Sequence, residues 1–154
     1  KSGKILQADL IVTATGLKLK FAGGITFYID GEHLEPPDMM GYKGVMFKDI
    51  PNFAGVVGYT NASWTLKADL VHKYICRLLN YMEKKGKKQC MPRLNNGAMD
   101  TEPAIDFSSG YVLRGLDFLP KQGSEFPWKL HQNYLRDTFI LKYSLVNDKY
   151  MEFK

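Results

Sequence analysis

The stretch Gly55-Val56-Val57-Gly58-Tyr59-Thr60-Asn61-Ala62-Ser63-Trp64-Thr65-Leu66 constrains this chain more than any other. A short apolar run rises into Tyr59, a turn follows from Thr60 to Ser63, and a helical period then runs to about Lys85. Within that period Val71, Tyr74, Ile75, Leu78, Leu79 and Met82 recur at spacings of three and four. Asp69, Lys73, Arg77, Asn80 and Lys84 fall on the other side. The pattern predicts one amphipathic helix with a single buried stripe. It would be roughly 33 Å long, enough to cross a small domain. Lys84, Lys85 and Gly86 give its stop signal. Where a strand turns sharply into a helix, the first backbone N–H groups are free and carry partial positive charge, which suits an anionic or electron-rich ligand group. Ser, Asn and Thr are also ordinary helix-cap residues, and a plain cap explains the same letters.

On either side of this feature the pattern alternates between strand and turn. Ile5 to Val12 reads as a strand whose continuous run Leu10-Ile11-Val12 fits burial on both faces. It ends in Thr13-Ala14-Thr15-Gly16, small residues that let a backbone or ligand approach closely. Ile25 to Ile29 and Glu32 to Leu34 flank Asp30-Gly31, a hairpin-turn signal, and Pro36-Pro37 ends the return strand. A short strand is expected over Gly44 to Phe47, a turn at Asp49 to Asn52, and a buried strand from Phe53 to Tyr59. After the long helix, Lys87 to Pro103 reads as loop, interrupted by Pro92, Asn95-Asn96-Gly97 and Pro103. Asp106 is placed to cap a helix over Phe107 to Leu119, stopped by Pro120. Lys121 to Pro127 is a second loop, Trp128 to Ser144 has helical spacing, and the tail can form a strand. The expected class is therefore α/β.

Several chemistries find no support in these residues. His33, His72 and His131 are too far apart to share a metal-ligand motif, and Cys76 and Cys90 form neither a C-x-x-C pair nor a disulfide framework. Asp100, Glu102 and Asp106 cluster in a loop, where carboxylates are usually solvated. No nucleophile elbow, Walker loop or H-E-x-x-H motif occurs. The net charge of +5 fits a solvated surface, and Lys84-Lys85-Gly86-Lys87-Lys88 sits where a helix dipole favours cations. Tyr and Phe fall mostly within apolar runs and outside the dense lysine run Lys84-Lys85-Gly86-Lys87-Lys88, so no nucleic-acid partner is expected. No apolar run approaches the ~18 residues of a membrane span. A cytoplasmic setting is the default, with attachment to a membrane surface left open. No G-x-G-x-x-G joins a strand to a helix, so the residues themselves contain no primary nucleotide fingerprint.

Asp9-Leu10-Ile11-Val12-Thr13-Ala14-Thr15-Gly16 resembles the D-x-x-[IV]-x-A-T-G motif of flavin-containing and Baeyer–Villiger monooxygenases. Gly58 to Leu70 is similar to the segment after the last FAD-domain strand in the ethionamide-activating branch of the bacterial enzymes. Ser109-Gly110-Tyr111-Val112, Leu119-Pro120-Lys121-Gln122-Gly123 and Pro127-Trp128 resemble the C-terminal region of that branch. Order and spacing agree over nearly the whole chain.

The resemblance implies the C-terminal part of a flavoprotein with two dinucleotide-binding, Rossmann-like domains, bearing short mixed strands and one long helix. Residues 1–89 would complete the FAD-binding domain, and residues 90–154 would form a helical extension packed on it. The implied cofactors are FAD and NADPH, and the implied reactants are O2 and a small organic substrate. A C4a-peroxyflavin would insert oxygen beside a ketone or oxygenate sulfur or nitrogen. The cofactor-binding positions carried over are Thr15, Gly16, Asn61, Ala62, Ser63, Trp64 and Thr65. The N–H groups of residues 63–65 would face the flavin's pyrimidine side, and Trp64 would either wall the substrate pocket or sit in the core. No catalytic residue is assigned. The family's two glycine-rich motifs and its F-x-G-x-x-x-H-x-x-x-[WF] signature are absent, and are expected upstream of Lys1 in the same polypeptide. Alone, the chain is expected to be inactive. A structural or interaction module that kept the flavoprotein core is the competing expectation.

Overall fold

The computed structural model describes residues 2–94, 99–104 and 110–154. Its centre is α1, Trp64–Lys84, the long helix expected from the periodicity. The stripe that faces inward is Lys67, Leu70, Val71, Tyr74, Leu78 and Met82. Leu79, expected in that stripe, is 56% exposed, because a step of one from Leu78 turns it about 100° away from the core.

The described strands pair as four two-stranded antiparallel sheets. β1, Phe27–Ile29, pairs with β2, Glu32–Leu34, and Asp30 and Gly31 between them both have positive φ, as a tight hairpin requires. β3, Gly41–Tyr42, pairs with β4, Met46–Phe47. β5, Cys90–Pro92, pairs with β8, Met151–Phe153, and β6, Thr101–Pro103, with β7, Lys121–Gly123. The helical pieces beyond α1 are α2, Gly110–Leu113, and α3, Tyr134–Thr138, which runs on into a π-type turn over Phe139–Tyr143.

The main core is built on α1. Tyr42, Val71, Tyr74, Trp128 and Leu141 are almost fully buried there, joined by Cys90 and Met151 from the β5–β8 pair. Residues from both sides of position 89 thus share one core. A smaller cluster of Met39, Phe47 and Ile50 packs against the rings of Phe21, Phe27 and Phe53.

Several expectations need correction. Ile5 to Val12 is not a strand. It lies outside every sheet, and Ile5 is 90% and Leu10 80% exposed. A doubly buried strand needs a ladder on each edge, and no described strand supplies one. Phe53 to Tyr59 makes only an isolated bridge, Ala54 to Met46, because β4 is too short to carry a longer partner. The supposed loop Lys87 to Pro103 contains β5 and β6. Their prolines are tolerated because each sheet has two strands, so one edge of each strand needs no donor. Lys121 to Pro127 likewise opens with β7. Trp128 precedes the helix rather than starting it, while Phe139, at helical spacing, is 70% exposed. Asp106 and the start of its expected helix lie outside the described residues; α2 and a 3-10 turn at Leu116–Phe118 follow, and the chain leaves helix before Pro120. No parallel, doubly wound sheet is present among the described residues.

Candidate functional site

The start of α1 is held open. Ser63 takes the N-cap position in extended backbone, yet no side chain caps the helix. The Ser63 hydroxyl instead pairs with Thr65 Oγ1 at 2.8 Å. The first N–H groups of a 21-residue helix are thereby left without a side-chain acceptor. Beside them Trp64 is 62% exposed. It lies across Gly58, where an added Cβ would fall 2.2 Å from the indole ring. Glycine is needed there so that the ring can rest on the backbone. Trp64 is therefore a surface aromatic, and Trp128 takes the place in the core.

The turn before the helix is braced from behind. Gln132 Oε1 accepts from the Thr60 N–H at 2.9 Å and from its hydroxyl at 3.2 Å. Asn61 Nδ2 donates to the Gln132 carbonyl at 3.1 Å. Below the turn lies a buried knot. Asp137 Oδ2 accepts from Tyr59 Oη and from Lys67 Nζ, both at 2.7 Å. Asp137 is 3% exposed, Lys67 5% and Tyr59 2%. Burial, then the hydrogen bond to Asp137, raises the Tyr59 phenol above its usual range, so it stays protonated and donates. His131 adjoins the knot; burial and then the Arg136 charge hold it below the usual imidazole range, and its Nε2 is buried with no hydrogen-bond partner.

The structure brings Asn61, Ala62, Ser63, Trp64 and Thr65 together at one helix start. Thr15 and Gly16 lie in the exposed N-terminal arm, where the Thr15 carbonyl accepts from Arg114 at 3.3 Å and Gly16 has φ 88°. Among the described residues no recorded bond joins them to the turn. Of the loop carboxylates, Glu102 pairs with Lys129 at 2.8 Å. No group of three or more metal-ligating side chains occurs among the described residues, and no helix there is long and apolar enough to cross a membrane.

The Lys67–Asp137 knot escaped the sequence reading, though a signal was present. Lys67 stands four residues before Val71 and seven before Tyr74, on the stripe that must be buried. A charge on that face demands a buried partner. Asp137, four residues before the buried Leu141, sends the matching signal from α3.

Comparison with known proteins bears on this geometry. No protein-family model and no solved structure matches the chain. It is 50% identical over 152 residues to FAD-containing monooxygenase EthA of Mycobacterium tuberculosis (strain ATCC 25618 / H37Rv), which covers 99% of this chain and 31% of the relative. It is 45% identical over 152 residues to the EthA of Mycolicibacterium smegmatis, with the same coverage. It is also 45% identical over 154 residues to "Probable FAD-binding monooxygenase AlmA" of Acinetobacter baylyi, again 99% of this chain and 31% of the relative. The chain spans 31% of the length of these curated relatives and matches their C-terminal part. With 43–50% identity sustained along its whole length, the chain is similar to the C-terminal part of proteins named as FAD-containing or FAD-binding monooxygenases.

Proposed function

We propose that this chain is the C-terminal part of an FAD- and NADPH-dependent monooxygenase that inserts one oxygen atom from O2 beside a ketone carbonyl or oxygenates a sulfur or nitrogen centre. The observation that carries the reading is the 43–50% identity over the whole chain to relatives named for FAD and monooxygenase activity. The remainder of the same polypeptide would supply the cradle for the FAD pyrophosphate and the NADPH site.

The open end of α1 fits the role this reading gives it. Its uncapped N–H groups at residues 63–65 would donate to the electron-rich edge of the flavin ring and favour negative charge there. Asn61 and Ala62 would shape the approach, and the exposed Trp64 would stand beside the ring and narrow the substrate's access. Thr15 and Gly16 would approach the cofactor from the arm, where an absent Cβ and a positive φ leave room. When bound, FAD supplies the electron transfer that activates O2. The apolar face of Ile5 to Val12 would gain its two ladders from the Rossmann-like sheet of the FAD domain. Residues 1–89 would then belong to that domain and residues 90–154 to its extension.

The test is the full-length gene product, purified and titrated with FAD, then supplied with NADPH, O2 and either an aliphatic methyl ketone or a thioether. Bound flavin, oxygen-dependent NADPH oxidation and an ester or sulfoxide product are expected. Protein that binds no flavin and oxidises no NADPH would favour a non-catalytic module instead. The 154-residue chain alone should oxidise no NADPH above blank when FAD is added.

A further inference from the structure

We infer that Asp137 is a positioning residue for the flavin-facing turn, an inference that rests on the function proposed above. The turn 60–63 has a strut on each side, and both struts end on one atom. Tyr59, the residue before the turn, and Lys67, one helical turn into α1, both donate to Asp137 Oδ2 at 2.7 Å. Between them the turn is tied to Gln132, on the segment that leads into α3. The only recorded hydrogen bond of the Lys67 ammonium among the described residues is the one to Asp137, with the Tyr59 ring 5.5 Å away. The apolar stripe of α1 sets the rotation of the helix as a whole, and this one carboxylate oxygen ties its first turn, and so the N–H groups at 63–65, to α3. Asp137 is 3% exposed and has no open face to a ligand, so it acts through the turn. Small displacements matter, since a shift of about 1 Å at a remote support can cost about 100-fold in rate.

A second knot in the same molecule provides the control. Asp148 Oδ2 accepts from Tyr42 Oη and pairs with Lys43 Nζ, both at 2.7 Å, and none of its recorded bonds reaches the turn. The experiment compares full-length wild type, Asp137→Asn, Asp148→Asn and the double variant Lys67→Met with Asp137→Leu. Each is shown to be folded by circular dichroism, then titrated with FAD while the visible absorption of the flavin is followed. The double variant removes both charges together, which leaves no unpaired buried ion and protects the fold. The expected result is FAD affinity about tenfold weaker in Asp137→Asn and in the double variant, with a shifted flavin band, and less than about twofold weaker in Asp148→Asn. Urea unfolding of each variant is measured alongside, because a general loss of packing would make FAD affinity follow stability across all four proteins. Equal effects at both, or a double variant that binds FAD like wild type, would overturn the inference while leaving the proposed function standing. If Asp137→Asn does not fold, the double variant decides. Wild-type protein that binds no FAD would remove the proposed function and this inference together.

Discussion

The two knots use the same three residue types but differ in redundancy and in burial, since Asp137 is buried and Asp148 is partly exposed. At Lys43 the ammonium has three acceptors: Asp148 at 2.7 Å, the Leu145 carbonyl at 3.0 Å and Ser144 Oγ at 3.3 Å. It also lies 5.3 Å from the centres of both the Tyr42 and Tyr74 rings. An ammonium has three donors, so this one is satisfied and can lose a partner without being stranded. Lys67 has Asp137 and the face of Tyr59. The first knot secures the segment 144–148 against the core by many contacts. The second secures the helix start from the core side through Asp137 alone, with Gln132 bracing the turn at the surface. Redundancy marks the structural anchor, and its absence marks the place where a single group determines a position.

The largest expected effect would break that contrast. Asp137→Asn should cost about 3–5 kcal/mol in stability, because it leaves Lys67 charged and buried without its carboxylate. Asp148→Asn should cost about 1–3 kcal/mol, since two acceptors of Lys43 survive. Urea unfolding of both variants measures the difference. Equal losses would mean that the acceptors around Lys43 are not sharing the load.

Alkali should strain both knots alike. Burial is the largest cause that raises the phenols of Tyr42 and Tyr59 above the ordinary value of 10.0. A raised folded pKa means that the native state keeps a proton the unfolded chain gives up. The stabilisation is therefore complete below about pH 10 and is lost as pH rises beyond it. At pH 11 the loss should be about 1.4 kcal/mol per buried phenol. Tyr59→Phe and Tyr42→Phe should each flatten the high-pH decline by one such share, read from urea midpoints between pH 9 and 11. A decline that neither variant changes would place its origin outside the knots.

How far the sequence foretold all this follows the range of the forces involved. Local patterns were legible: the period of α1, the Asp30-Gly31 hairpin, the turn at Asp49 to Asn52 and the strand in the tail all appear. Partners distant along the chain were not. Cys90 to Pro92 reads as loop because Pro92 forbids a central strand, and only the pairing with residues 151–153 makes it an edge strand. Ile5 to Val12 has the composition of a buried strand, yet composition cannot provide the neighbouring strands. The helix start at Ser63 was legible in the sequence, whereas its support was not. Lys67, Gln132 and Asp137 lie on different elements, and only the charge on the apolar stripe hinted at their meeting.

The smallest expected effect on stability sharpens the comparison most. Gln132→Ala removes the acceptor for the Thr60 N–H and hydroxyl but leaves the Gln132 backbone carbonyl for Asn61. These bonds lie at the solvent-exposed surface, where water replaces a lost partner, so the cost should be below about 1 kcal/mol. Neither knot loses a bond. If the turn's position governs flavin binding, FAD affinity of the full-length protein should still weaken by about two- to fivefold, roughly 0.4–1 kcal/mol. Asp148→Asn should show the reverse: greater loss of stability and little change in affinity. Such a crossing of the two readouts cannot come from a common loosening of the fold, which would move both in the same direction. Affinity that tracked stability across all these variants would mean that the turn is held by the core as a whole, and that the redundancy around Lys43 has no counterpart in function.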